Sequence, residues 1–173
     1  MPETLEDLLR KADRLGKEAF CARYPHPFMV RLDERGGVDE PSPWAFSTMA
    51  SKLDVPRVPP AGPMAKAFEL LKSSGKGGRD MISLGRTNNN DVVIPEMSVS
   101  KFHAFFKVAG DRNWQLVDAG SSNGTRVNGQ KLAAKAPTPV QSGDTVVLGD
   151  VAFLFLWPEQ LVEQLPSLCR PVG

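Results

Sequence analysis

The chain is poor in the residues that build disulfide frameworks and metal centres, with two cysteines and two histidines in 173 residues. Cys21 and Cys169 lie at opposite ends, and neither has metal-ligand spacing around it. No disulfide scaffold is therefore implied, and two reduced, partly buried thiols are expected. Charge of one sign is scarce too. The 21 Lys and Arg against 20 Asp and Glu leave a net charge of +1, which gives no general field to gather nucleic acid or an anionic membrane surface. Long apolar runs are missing. The longest, VAFLFLW at 151–157, falls well short of the ~18 residues of a membrane helix. The start, MPETLEDLLRKADRL, is charged throughout and lacks the apolar core of a secretion signal. Cytoplasmic residence, with no cofactor and no metal, is the expectation.

What is present falls into unlike stretches. Leu5, Leu8, Leu9, Ala12, Leu15, Ala19 and Phe20 recur at helical spacing, so residues 4–22 read as an amphipathic helix within an N-terminal unit at 1–24. Thr4 followed by Asp7 reads as its cap. The apolar stripe must cover a sandwich, a second protomer or a partner, and docking on the chain's own strand or sandwich is favoured. Residues 25–63 hold eight of the fifteen prolines and read as an extended segment. Its one candidate strand is 28–32, followed by a turn at 33–37. The run VPRVPPAGP reads as a stiff connector, placing a domain boundary at about residue 63. From 64 to 157 short apolar runs alternate with Gly, Asn, Asp and Ser. Candidate strands are 67–72, 81–86, 91–94, 103–108, 114–118, 125–127, 145–149 and 151–157, the texture of an antiparallel β-sandwich. Residues 158–173 read as a proline-bounded tail with at most one short helix around 159–165.

The turns of this β-rich stretch carry Gly85-Arg86, then Ser100-Lys101-Phe102-His103, then Ser122-Asn123-Gly124. One arginine, hydroxyls and an asparagine between short strands suit capture of a phosphate group: a guanidinium stays ionised and meets two oxygens at once. In this order, the motifs resemble the forkhead-associated (FHA) domain, a phosphothreonine-peptide-binding module with a β-sandwich fold. The resemblance covers about residues 64–157. It also decides AKAFELLKS at 65–73, which has helical propensity, in favour of strand.

The resemblance implies that Arg86 and the Ser100 hydroxyl bind the phosphate, with the Lys101 backbone N–H as a further donor. Ser122 is implied beside the phosphothreonine, and the Asn123 side chain on the peptide backbone. Gly85, Gly124 and His103 are implied as structural support, His103 bracing the loop that presents Ser100. The family often has arginine where this chain has Lys101, and lysine loses the fork. The implied partner is a Thr-phosphorylated protein, a Ser/Thr kinase or its substrate, in a signalling adaptor without catalytic activity.

Competing readings remain beside this one. A phosphate-independent scaffold, or self-association through the N-terminal segment with phosphorylated Thr4 as ligand, would use the same fold. Asn88-Asn89-Asn90 reads as a polar loop near the peptide groove. His26 reads as a loop residue between two prolines. Residues 73–78, SSGKGG, lack the spacing of a nucleotide-binding loop and read as a glycine-rich hairpin connection. His103 as a base for Ser100 lacks a third group with triad-like placement.

Overall fold

The computed structural model describes residues 2–32, 61–73, 78 and 80–170. The turn expected at 33–37, most of the proline-rich connector and most of the glycine-rich connection at 73–78 lie outside the described residues. In chain order the elements begin with β1 (Glu3–Thr4), α1 (Leu5–Leu15), α2 (Lys17–Arg23), β2 (Phe28–Leu32), β3 (Lys66–Glu69), β4 (Met81–Gly85) and β5 (Val92–Val93). They continue with β6 (Ala104–Val108), β7 (Trp114–Asp118), β8 (Thr125–Val127), β9 (Gln130–Lys131), β10 (Thr138–Val140), β11 (Thr145–Leu148), β12 (Val151–Leu156) and α3 (Pro158–Leu168). One sheet runs β1-β3-β2-β12-β11-β8-β9 and the other β10-β7-β6-β4-β5. Every pairing is antiparallel except β4 with β5, which is parallel.

Period-two alternation splits β12 between two cores. Val151, Phe153 and Phe155 point between the sheets, where they join Met29, Leu84, Phe106, Trp114, Leu116 and Val146. Leu154 and Leu156 point the other way and meet Leu5, Leu8 and Ala12 of α1, Phe20 of α2, and Leu161, Leu165 and Leu168 of α3. A strand buried on both faces reads as a continuous apolar run, which explains VAFLFL. The molecule is thus a sandwich with a helical layer on the outer face of its larger sheet.

Four sequence expectations change. The single helix over 4–22 is two helices, because Gly16 takes φ +79° between them. Leu15 and Ala19 are consequently exposed instead of completing the stripe. The boundary at residue 63 would cut one sheet in two: β2 lies between β3 and β12 and pairs with β12 through five residues. Residues 158–168 are a packed helix, longer than the short one expected. Burying Leu161, Leu165 and Leu168 completely contributes ~1.5–3 kcal/mol each, more than the ~3 kcal/mol that Pro166 costs inside a helix. Lastly β1, β9 and β10 were unforeseen, being two or three residues long, with Pro139 confined to an edge strand. No helix among the described residues is long and apolar enough to cross a membrane.

At the start of α1 the Thr4 hydroxyl accepts the Asp7 N–H at 3.2 Å and donates to the Asp7 carboxylate at 2.7 Å. Thr4 also sits opposite Lys66 in the β1–β3 pair. A phosphate placed there would have to leave both contacts to reach another molecule.

Candidate phosphate-binding groove

Three connections form the site: the turn after β4, the loop from β5 to β6, and the loop from β7 to β8. Arg86, Ser100, Lys101, Ser122 and Asn123 line one solvent-open groove of about 370 Å³. Arg86 leaves β4 with its backbone N–H donating to the Ser100 carbonyl at 3.0 Å. Its side chain is half-buried and donates from Nη1 to the Met97 carbonyl at 3.3 Å. Among the described residues no carboxylate pairs with it. A cation held in a concavity without a counter-charge is the main electrostatic feature of the groove.

The Ser100 hydroxyl accepts the Ser122 N–H at 3.0 Å, which joins two of the three connections and leaves the hydroxyl hydrogen for a ligand. Asn123 donates from Nδ2 to the Ser98 carbonyl at 2.9 Å, keeping Oδ1 and its second N–H available. Lys101, Ser122 and Asn123 are all exposed.

His103 is fully buried under the groove. Its Nδ1 accepts the Ser100 backbone N–H at 3.0 Å, so Nε2 carries the proton and donates to the Gly124 carbonyl at 3.0 Å. Burial pushes its pKa down, against the opposing pull of the Gly124 carbonyl and the Asp118 charge. Both ring nitrogens are engaged by backbone, and among the described residues no base contacts the Ser100 hydroxyl. The ring thus links the Ser100 N–H to the Gly124 carbonyl. Gly124 itself turns at φ +85°, with the Lys131 side chain 2.8 Å from where a Cβ would stand.

Two supporting residues escaped the sequence reading. Asn90, grouped there with a polar loop, is buried and donates from Nδ2 to the Lys101 carbonyl at 2.6 Å and the Thr87 carbonyl at 2.9 Å. Asp118 is buried at the end of β7 and accepts from the Ser121 hydroxyl, the Thr125 hydroxyl, and the Gly120 and Ser121 N–H groups at 2.6–2.9 Å. Burial alone would raise its pKa, but those donors outweigh it and hold the carboxyl below the usual range. Aspartate followed by Ala-Gly-Ser was the available signal, since aspartate closes such turns through its own side chain. Among the described residues no cluster of His, Cys, Asp and Glu could hold a metal ion.

Gly85 shows how tightly the two halves of the groove approach. A Cβ there would lie 2.3 Å from the Lys101 carbonyl oxygen and 2.6 Å from Asn90 Nδ2. Gly85→Ala must push back the carbonyl that Asn90 holds. A loss of about 1–3 kcal/mol is expected, as for overpacking elsewhere. Urea unfolding of the variant without ligand checks it, and an unchanged midpoint would contradict the close approach.

This construction has relatives. The FHA domain family model matches residues 82–149, which span β4 through the end of β11. The oxoglutarate dehydrogenase inhibitor of Corynebacterium diphtheriae is 31% identical over 117 residues, covering 65% of this chain and 76% of that protein. The ABC transporter ATP-binding/permease protein Rv1747 of Mycobacterium tuberculosis is 36% identical over 92 residues, 53% of this chain but 10% of that protein. The solved FHA domain of the CT664 protein from Chlamydia trachomatis aligns at a TM-score of 0.48 and 21% identity, covering 75% of this chain and 96% of that one. Groove motifs, family model and an inhibitor matched over most of its length agree: the chain belongs to the forkhead-associated domain family.

Proposed function

We propose that the protein is a phosphothreonine-dependent interaction module, a non-catalytic cytoplasmic adaptor for a Thr-phosphorylated protein produced by, or identical with, a Ser/Thr kinase. The observation that carries this is the Arg86 guanidinium, free of any described carboxylate, in one groove with the Ser100 hydroxyl and the Asn123 carboxamide. Phosphothreonine brings about −1.5 to −2 charges and three acceptor oxygens to such a set. Arg86 and the Ser100 hydroxyl take the phosphate, the Lys101 N–H adds a donor, and Ser122 lies beside the modified residue. Asn123 holds the peptide backbone and so fixes register without reading sequence. Gly85, Asn90, His103, Asp118 and Gly124 keep those groups in place.

Hydrogen bonds to charged groups contribute ~1.5–3 kcal/mol each, and association costs several kcal/mol, which leaves a dissociation constant on the order of micromolar. The threonine methyl adds only ~0.8 kcal/mol, about fourfold over phosphoserine. The test is a titration of fluorescent peptides that differ only in the phosphate. Phosphothreonine peptides should bind at least ~100-fold more tightly than their unphosphorylated forms. Equal affinity for the two would sink the reading.

A further inference from the structure

Ser100 and Asn123 stand in one groove but are held from different places. Ser100 is fixed on both sides of its own backbone. Its carbonyl accepts the Arg86 N–H at 3.0 Å, and its N–H meets His103 Nδ1 at 3.0 Å. Asn123 is instead fixed through the Ser98 carbonyl, which accepts its Nδ2 at 2.9 Å. What holds Ser98 is Gly149-Asp150, the two-residue turn between β11 and β12, which lies outside the groove lining.

The turn reaches both partners of the Asn123–Ser98 bond. The Asp150 N–H donates to the Ser98 hydroxyl at 3.1 Å. The Gly149 N–H donates at 3.1 Å to the carbonyl of Gly124, the residue after Asn123. Gly149 also makes room for the contact. It takes φ +59°, and a Cβ there would stand 2.3 Å from the Ser98 carbonyl oxygen and 2.9 Å from the Ser98 hydroxyl. A side chain at 149 would push back the carbonyl that orients Asn123, and backbone has no flexible end that could yield instead. Gly129, in the turn between β8 and β9, provides the contrast. Its φ is +82°, yet a Cβ there would meet nothing within 4 Å.

We propose that Gly149 is a positioning residue for ligand recognition: through the Ser98 carbonyl, the β11–β12 turn aims the Asn123 carboxamide at the backbone of the bound peptide. The phosphate side of the groove, anchored by Arg86 and His103, does not depend on this turn. The inference rests on the reading of Asn123 as the holder of the peptide backbone, and it adds what sets that residue's direction.

The experiment uses the full chain and two probes. One is a phosphothreonine peptide; the other is free O-phospho-L-threonine, which brings the phosphate without a flanking peptide backbone. Gly149→Ala should weaken the peptide about tenfold and leave the free amino acid within about twofold. On an Asn123→Ala background the same substitution should cost the peptide little more, because the contact it disturbs is already gone. Gly129→Ala imposes the positive-φ strain without the crowding and should leave both probes bound as before. Ser98→Ala removes the Asp150 bond without crowding and should give the same selective loss, about threefold. It carries the test alone if Gly149→Ala does not fold. Equal losses for the two probes, or full additivity of Gly149→Ala with Asn123→Ala, would overturn the inference, since the turn would then support the fold and not Asn123. An unphosphorylated peptide that binds the unmodified protein as tightly as the phosphopeptide would refute the phosphothreonine reading instead.

Discussion

Arg86→Ala should weaken phosphothreonine-peptide binding by roughly 100-fold or more while moving the melting temperature by no more than about 2 °C. The two halves of this expectation come from different parts of the residue. The guanidinium can give two charge-assisted hydrogen bonds to phosphate oxygens, at ~1.5–3 kcal/mol each. In the ligand-free groove its side-chain contacts among the described residues are the 3.3 Å bond to the Met97 carbonyl and the approach to its sulfur. The bond that matters for folding is the Arg86 backbone N–H to the Ser100 carbonyl, and alanine keeps it. Arg86→Lys should fall between: it retains the charge and loses the planar fork. Isothermal titration with thermal melts of the same samples separates site from fold. Undiminished binding by Arg86→Ala would leave the groove as a scaffold surface indifferent to phosphate.

Much of the β-sandwich was legible because half-buried strands write their period into the sequence. Trp114–Asp118 and Thr125–Val127 are strands over the residues read as such. The parts that were not legible depend on pairings between distant stretches. Phe28–Leu32 reads as a strand from its own alternation, but nothing local says that it lies between β3 and β12. The C-terminal leucines read as a tail until the outer face of that same sheet supplies something to pack on. Gly16 could be seen in the sequence; its positive φ, which ends one helix and starts the next, could not.

The groove divides along a similar line. Residues whose chemistry suits an anion, Arg86, Ser100 and Asn123, stand out by type and order in the sequence. Asn90 and Asp118 do their work through buried bonds to backbone, and a buried asparagine cannot be told from a loop asparagine without the fold. The two-layer apolar pattern of β12 carries a further lesson. It was visible as VAFLFLW, but it implied a helical cover only once β2, its neighbour, was placed in the sheet.

Acidification should destabilise the ligand-free protein through His103, and His103→Ala should cost about 3–5 kcal/mol at neutral pH. The substitution leaves the Ser100 N–H without its acceptor and opens a cavity where a fully buried ring had been. The Gly124 carbonyl loses less, since it also accepts the Gly149 N–H at 3.1 Å. The pH effect follows from the tautomer. Protonating Nδ1 turns the acceptor of the Ser100 N–H into a donor, and burial already holds the folded pKa below the usual histidine value of 6.5. Between those two values the unfolded chain binds more protons than the folded one. Stability should therefore be retained above about pH 6.5 and decline as the pH falls through that value towards the folded pKa. Phosphopeptide binding falls in the same range for a second reason, because the phosphate loses charge near pH 6. The clean readout is thus the urea midpoint without peptide, from pH 7.5 downwards. His103→Gln should flatten the slope relative to the unmodified protein, with His26, the other histidine, left as an internal constant. An identical slope in the two proteins would show that the buried imidazole does not govern the acid response, and the brace beneath Ser100 would then have to tolerate a proton.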